Sequence, residues 1–275
     1  MSEAPQRAKL ASMSPTGPTT STVDVTSVPP IGHREAATLA TDELDAMVEL
    51  LRRLTPEEWT KPTSCELWDV RAMVSHVVAM AEAQASVREF AHVSRIARSA
   101  VRRDGGAVID AMTATQVRER AALTPDELVD RLVEVAPRAV RARRRTPAPL
   151  RWGVRLKQDP PFEERWTLGY LFDVICNRDP WMHRLDISRA TGRPMRLRPG
   201  HDGRLVADVV AEWARRHGRP FTLVLTGPAG GRWRADTPCT PGAGGEEIEL
   251  DALDFCWALS GRAPGDGLLA TPVPF

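Results

Sequence analysis

The sequence predicts an α+β protein with a helical bundle in residues 33–195 and a small α+β domain in residues 196–275. Through most of the first part, apolar residues recur at three- and four-residue spacing, which is the period of an amphipathic helix. After Pro194 the pattern changes, because segments with alternating apolar residues, typical of strands, follow one more helix. A hydrophobic content of 42% and a charged content of 27% are ordinary for a globular protein, so a packed core is expected.

Residues 1–32 are predicted to form a disordered leader. They are rich in Ser, Thr and Pro and contain no aromatic residue, so they bury too little apolar surface to offset the entropy lost on ordering. Only the tail of the leader, residues 28–31, could pack onto the bundle. The chain shows neither a secretory apolar segment near its start nor a run of the roughly 18–20 apolar residues that cross a bilayer. We therefore expect a cytoplasmic protein.

The first helix of the bundle is expected over residues 35–54. Thr55 and Pro56 then have the form of a helix start, with Glu58 closing a capping box, and the same pattern returns at residues 124–127.

Between these two starts, Asp69 is expected to cap a long helix that carries apolar residues on one side. Further helices are expected over residues 108–123, 125–144 (bent or broken near Pro137) and 166–190. Residues 145–164 are rich in proline and are interpreted as a connection. About four or five helices without intervening strands favour a helical bundle.

In the last part, a helix over residues 204–217 precedes three short segments with strand character, at residues 221–225, 231–234 and 247–250. Asp251 is expected to cap a final helix that ends at Leu259.

His76 is the first residue that could carry chemistry. At about 100° per residue it lies about 60° from Met73 and about 40° from Met80, so it sits on or beside the apolar face of its helix. A lone histidine in that position is more often a hydrogen-bonded core residue than a ligand.

A second feature changes this balance. Asp179 and His183 are four residues apart, so a continuous helix places a carboxylate and an imidazole on one face, where they can share a metal ion. Together with His76 on another helix they form a candidate site of two histidines and one carboxylate, with an open position for a ligand.

The segment of residues 54–77 resembles the start of the mycothiol-dependent maleylpyruvate isomerase family, which belongs to the DinB-like metal-binding four-helix bundles. The residues that carry the resemblance are Trp59, Pro62, Thr63, Trp68, Asp69, Val70, Arg71 and His76. A second family motif, Arg-Glu-x-x-x-His followed by Asp, corresponds to Arg178, Asp179, His183 and Asp186. The tail resembles a sterol-carrier-like α+β domain through residues 259–262 and the final Pro274 and Phe275, so the resemblance extends over residues 35–275.

The resemblance implies that His76, Asp179 and His183 bind a divalent metal, most simply zinc, and that the thiol mycothiol is the cosubstrate. It also places Arg262 at a position associated with binding of the thiol or the substrate. A solvent-exposed Arg262 without such a role is an equally open interpretation, because the chain is rich in arginine.

The chain departs from the family pattern at the carboxylate. Asp179 stands where the family has Glu, and Pro180 follows it directly. Either the helix is kinked at this point, or Asp179 caps a helix that begins at Pro180 and binds no metal. In addition, Leu67 stands before Trp68 where the family has Gly.

Other candidates are weaker. Cys65 is better explained as a buried structural thiol than as a nucleophile, and Trp68 and Trp181 could line a pocket or only fill core. The basic run of residues 141–145 is interpreted as a solvated helix end. His33, His92, His201 and His217 belong to no recognisable constellation.

The leading hypothesis is a metal-dependent enzyme that uses a low-molecular-weight thiol, mycothiol by resemblance, to isomerise a small electrophilic substrate or to transfer the thiol onto it. The alternative is a non-catalytic protein that has lost the metal site and binds a small molecule or a partner protein. A net charge of +1 gives no reason to expect nucleic acid or a membrane surface as a partner.

Overall fold

The computed structural model describes residues 21–158, 162–236 and 245–275. Residues 1–20 of the predicted leader and Cys239 lie outside this part of the chain. None of the helices in the described ranges has the length and apolar character needed to cross a membrane.

The helices follow one another through most of the chain, with short strands in between. The α-helices are α1 (His33–Leu51), α2 (Val70–Ala85), α3 (Val87–Asp104), α4 (Val108–Arg120), α5 (Pro125–Arg145), α6 (Ala148–Gly153), α7 (Leu168–Tyr170), α8 (Cys176–Thr191), α9 (Asp202–His217) and α10 (Ala252–Leu259). The strands are β1 (Val23–Asp24), β2 (Arg155–Lys157), β3 (Arg165–Thr167), β4 (Phe221–Thr226), β5 (Gly231–Ala235) and β6 (Glu246–Asp251).

Helices α1, α2, α5 and α8 form a four-helix bundle, in which α2 contacts α5 and α8, and α1 contacts the same two helices from the other side. Their apolar faces meet in one core, which includes Met47, Leu51, Met73, Val77, Leu128, Leu132 and Ile187. Helices α3 and α4 contact each other and pack on the outer side of α2. The α+β class and the helical bundle predicted from the sequence are confirmed.

The helix starts follow the predicted caps at three of four positions, and one of them is Asp251, whose side chain accepts a hydrogen bond from the Leu253 N–H at the start of α10. The Asp69 side chain accepts a hydrogen bond from the Ala72 N–H at 2.7 Å, and Thr124 and Glu127 form a reciprocal capping box at the start of α5. The predicted helix at Thr55 is wrong, because only a single 3₁₀ turn, Glu58–Thr60, forms there. Pro62 has no N–H to continue an α-helix from the Glu58 carbonyl, so the chain turns away.

The C-terminal sheet has the order β1-β5-β4-β6. Strand β4 pairs antiparallel with β5 and parallel with β6, and Leu223 lies between Trp233 and Ile248. Helices α9 and α10 pack with this sheet around Trp213, Phe221 and Phe255.

The predicted disorder is wrong for residues 21–27, whereas the tail of the leader, residues 28–31, packs as the sequence allowed. Strand β1 joins the C-terminal sheet beside β5, with Val23 opposite Trp233. Val25 and Ile31 are buried in the same core, and this burial offsets the ordering entropy that the composition alone suggested would prevail. The proline-rich connection also differs from expectation, because it contains α6 and β2, and β2 pairs antiparallel with β3, which begins directly after the connection.

Helix α8 belongs to two cores at once. Its Ile187 lies in the core of the bundle, whereas Trp181, Met182 and Leu185 pack into the core with α9 and the sheet. The predicted boundary between residues 195 and 196 falls in the connection between α8 and α9 and stays a prediction.

Candidate metal centre

His76, Asp179 and His183 converge inside the bundle, between α2 and α8. One donor atom from each lies within 4.8 Å of the others. The Asp179 Oδ1 atom is 3.9 Å from His76 Nε2 and 3.5 Å from His183 Nε2. Donor atoms at about 2.1 Å from one tetrahedral zinc ion are about 3.4 Å apart, so these separations suit a shared ion after small side-chain adjustments.

The orientation of His76 is set by Gln116 of α4. The His76 Nδ1 atom lies 2.9 Å from Gln116 Oε1, and the Gln116 amide nitrogen donates to Met80 Sδ at 3.4 Å. Because the amide oxygen thus faces the ring, Nδ1 carries the proton and the lone pair of Nε2 points towards Asp179.

His183 is oriented in the same way by Asp186, one turn further along α8. Its Nδ1 atom lies 3.1 Å from Asp186 Oδ2. Asp186 is fully buried and accepts two parallel hydrogen bonds from Arg262, at 2.7 Å from Nε and 2.8 Å from Nη2. The Ser64 hydroxyl donates to Asp186 as well. Both histidines therefore keep Nε2 available, which is the arrangement of metal-binding histidines held by outer partners.

The charges of the site are strongly coupled. Burial raises the pKa of Asp179, but the adjacent His183 and His76 outweigh it and hold this pKa well below its ordinary range. Burial lowers the pKa of His183, whereas Asp179 and Asp186 together raise it to about 9. For Asp186, burial is again opposed, by hydrogen bonds from His183 and Arg262, and its pKa falls to about 2. Near neutral pH the metal-free site thus holds two ionised carboxylates, Asp179 and Asp186, beside a protonated His183.

Pro180 does not start a helix. Helix α7, a π-helical turn (Leu171–Ile175) and α8 follow one another without a break, and Asp179 lies inside this continuous segment. The alternative in which Asp179 is an N-cap is therefore wrong, and its carboxylate faces the two histidines instead. A π-helical turn beside a ligand is a frequent feature of functional sites.

Trp68 covers the two imidazoles. Its ring centroid is 5.0 Å from that of His76 and 6.2 Å from that of His183. It is held by a short loop closed by a bridge between Pro62 and Asp69. At the tip of this loop Leu67, the residue that replaces the family's Gly, is 94% exposed and contributes nothing to the core.

Trp181 lies outside the site. Its ring is buried in the core shared with α9, and its Nε1–H donates to Asp202 Oδ1 at 2.9 Å. Cys65 is half-buried, and burial, followed by the nearby Asp186 carboxylate, raises the pKa of its thiol. A thiolate is disfavoured there, which argues against a nucleophilic role for Cys65.

Arg262 is held mainly by Asp186 and is largely buried, so the interpretation as a fully solvated arginine is wrong. The basic run at the end of α5 also differs from expectation, because Arg143 is only 6% exposed. Its guanidinium reaches the main chain at the start of α8.

A second group of potential ligands, which the sequence did not suggest, consists of Glu43, His201 and Asp202. Arg184 donates to both Glu43 oxygens, at 2.7 and 2.8 Å, and to Asp202 Oδ1 at 2.6 Å. A guanidinium thus already supplies the positive charge between these carboxylates, and the group is a buried ion-pair network between α1, α8 and α9.

Comparison with known proteins agrees with this architecture. No curated protein matches the chain in sequence. Two solved structures are similar: the crystal structure of the mycothiol-dependent maleylpyruvate isomerase and that of a variant of it with one histidine replaced by alanine. Their identities to this chain are 18% and 16%, and the TM-score is 0.52 for both. The aligned parts cover 89% and 88% of this chain and 94% and 92% of theirs, which establishes a common fold.

A family model described as the mycothiol maleylpyruvate isomerase N-terminal domain matches residues 40–188, which is more than half of the chain. The matched range begins within α1 and ends within α8, so it contains all three converging side chains. The chain therefore belongs to the family of proteins with the mycothiol maleylpyruvate isomerase N-terminal domain.

Proposed function

We propose that this protein is a cytoplasmic metal-dependent enzyme that uses a low-molecular-weight thiol, mycothiol, on a small electrophilic substrate. His76, Asp179 and His183 hold the metal ion, for which zinc is the best candidate because two imidazoles and one carboxylate are a common zinc donor set. The family and the names of the two structural neighbours support mycothiol as the thiol.

The observation that carries the proposal is the matched orientation of the two histidines. Each has its Nδ1 atom engaged by a buried oxygen and its Nε2 atom directed towards Asp179. A purely structural histidine would be satisfied by one such partner, whereas here both rings direct Nε2 towards the same carboxylate. Once His183 gives up its second proton, both rings and the carboxylate can present lone pairs to one metal ion. These residues fit a metal with three protein ligands and an open coordination position.

A bound zinc ion would lower the pKa of a thiol at the open position, so that thiolate forms near neutral pH. Asp179 supplies one negative charge close to that position, and Trp68 limits the access of water to the imidazoles. Arg262 binds Asp186 through Nε and Nη2, which leaves Nη1 to donate to an anionic group of the substrate or the thiol.

Two reactions are compatible with this site. In an isomerisation, the thiolate adds to a conjugated double bond, rotation occurs about the resulting single bond, and elimination releases the thiolate unchanged. In a transfer, the thiolate forms the same carbon–sulfur bond or displaces a leaving group, and it remains attached. Maleylpyruvate, which the structural neighbours' names give, is the first substrate to test for isomerisation.

The test combines metal content with the fate of the thiol. We expect about one equivalent of zinc in the purified protein and its loss in His183→Ala, because two remaining ligands hold the ion poorly. His217→Ala is the matched control, since His217 lies on α9 outside the bundle. Thiol that is required but not consumed indicates an isomerase, and thiol consumed in step with the substrate indicates a transferase.

The proposal would be contradicted if the protein binds no zinc, cobalt or nickel and if His183→Ala leaves its binding of mycothiol and maleylpyruvate unchanged. That result would favour the non-catalytic alternative, in which the bundle binds a small molecule or a partner protein.

A further inference from the structure

Pro180 creates a defect in the helix that presents Asp179. In a regular α-helix the N–H of residue 180 would donate to the carbonyl of Cys176, four residues earlier, but proline has no N–H and its ring crowds that carbonyl. The π-helical turn (Leu171–Ile175) directly before α8 changes the backbone hydrogen bonds further. The main-chain oxygens of this segment therefore need donors from elsewhere.

Arg143 of α5 supplies such a donor. Its Nη1 atom lies 3.1 Å from the Cys176 carbonyl oxygen and 3.3 Å from that of Phe172. A second side chain acts similarly, because Asn177 Nδ2 donates to the Asp173 carbonyl at 2.9 Å. Side-chain donors thus reach three main-chain oxygens of this segment, and at Cys176 the donor stands where Pro180 supplies no N–H.

The environment of Arg143 is unusual for an arginine. The residue is 6% exposed, and within the described ranges the hydrogen bonds of its side chain go to these two main-chain oxygens. Its Nε atom is buried without a partner in the same part of the chain. A guanidinium is costly to bury in this way, so its retention calls for a compensating interaction, which the defect at Pro180 provides.

We propose that Arg143 is a positioning residue for Asp179: its guanidinium replaces the N–H that Pro180 lacks and fixes the turn of α8 from which the carboxylate reaches the histidines. Cys176 and Asp179 lie three residues apart in the first turn of α8. A donor that holds the Cys176 carbonyl therefore also restrains the backbone from which the Asp179 side chain emerges. This inference rests on the proposed metal site, and it makes Pro180 and Arg143 an interdependent pair.

The test is a double-mutant cycle between these two residues. Arg143→Met should lower zinc affinity at least about tenfold, because a hydrogen bond from a charged donor contributes that much or more. Pro180→Ala restores an N–H opposite the Cys176 carbonyl, so Arg143→Met/Pro180→Ala should recover most of the lost affinity. Arg144→Met is the matched control, since Arg144 is the exposed neighbour on the same helix, and it should bind zinc like the unaltered protein.

The measurements are zinc affinity by competition titration and hydrogen–deuterium exchange of residues 171–184 in the metal-free protein. Exchange should increase in Arg143→Met and return towards the original rate in the double variant. If Arg143→Met does not fold, the comparison uses Arg143→Lys, which keeps a charge but loses the planar donor. Arg143→Lys/Pro180→Ala should then bind zinc more tightly than Arg143→Lys alone.

If Arg143→Met costs the same affinity in the unaltered background and in the Pro180→Ala background, the pairing is overturned, and unchanged affinity in Arg143→Met overturns it as well. If the unaltered protein binds no metal, the proposed function fails, and the exchange measurement alone decides the role of Arg143. Exchange that rises in Arg143→Met and is not reduced by Pro180→Ala would then refute it.

Discussion

Asp186→Asn offers the sharpest test of how the histidines are held, because it changes one atom type and almost no volume. Asp186 accepts hydrogen bonds from His183 Nδ1, from two nitrogens of Arg262 and from the Ser64 hydroxyl. An amide has only one acceptor oxygen, so its NH₂ group must face either His183 or Arg262, both of which are donors. In the first arrangement the favoured tautomer of His183 loses its acceptor, and in the second the hydrogen-bonded link from His183 through residue 186 to Arg262 Nε is broken.

The expected effect can be worked out from these contacts. Removing an outer partner of a metal-binding histidine typically costs about 10–100-fold in metal affinity, which is about 1.4–2.7 kcal/mol. We expect the upper half of that range, because Asp186 is fully buried and the opposed amide cannot turn to water.

The assay is a zinc competition titration with Asp186→Asn and with Asp254→Asn as the control. Asp254 also pairs with an arginine, Arg189, but its side chain is 61% exposed, so its loss should leave zinc affinity unchanged. Zinc affinity of Asp186→Asn within about twofold of the unaltered protein would refute the idea that Asp186 orients a metal ligand.

Two further predictions concern the ligands themselves. Asp179→Glu should retain or tighten zinc binding, because Asp179 Oδ1 is 3.9 Å from His76 Nε2 and a longer carboxylate shortens that distance. Asp179→Asn should weaken zinc binding, because it removes the negative charge. A zinc titration in which Asp179→Asn binds more tightly than Asp179→Glu would contradict this prediction. Because the pKa of His183 rises from its ordinary 6.5 to about 9, its imidazolium contributes stability that is complete below about pH 6.5 and lost as pH rises through about 9. Between about pH 6.5 and 9 the melting temperature of the metal-free protein should fall, and zinc affinity, which requires the neutral ring of His183, should rise. If neither quantity changes with pH in this range, His183 is not held protonated by Asp179 and Asp186.

The convergence of His76, Asp179 and His183 could be predicted from the sequence because their placement depends on helical periodicity. His76 lies beside the apolar stripe of α2, and the four-residue spacing of Asp179 and His183 places both on one side of α8. Two packed helices with these faces inward bring the three side chains together.

Gln116 could not be predicted in the same way. It approaches His76 only because α4 packs on α2, and nothing in its local sequence distinguishes it from a surface glutamine. The burial of Arg143 could not be predicted either, because this residue lies in a basic run at a helix end. Its proposed role depends on the missing N–H of Pro180 on another helix. The order of residues 21–27 could not be predicted, because their composition describes only what these residues can bury among themselves. Strand β1 is instead stabilised by a sheet about 200 residues further along the chain.

Helix α8 links the candidate metal centre to α9 and the C-terminal sheet. Arg178, which directly precedes Asp179, donates to Asp208 at 2.6 Å and to Glu212 at 2.8 Å, both on α9. Arg184, which directly follows His183, donates to Asp202 at the start of α9. A buried guanidinium that loses its carboxylates is strongly destabilising, so α8 cannot rotate about its axis without breaking these pairs. Because Arg262 also reaches Asp186 from beyond α10, the C-terminal part of the chain helps to hold His183, one of the three converging side chains.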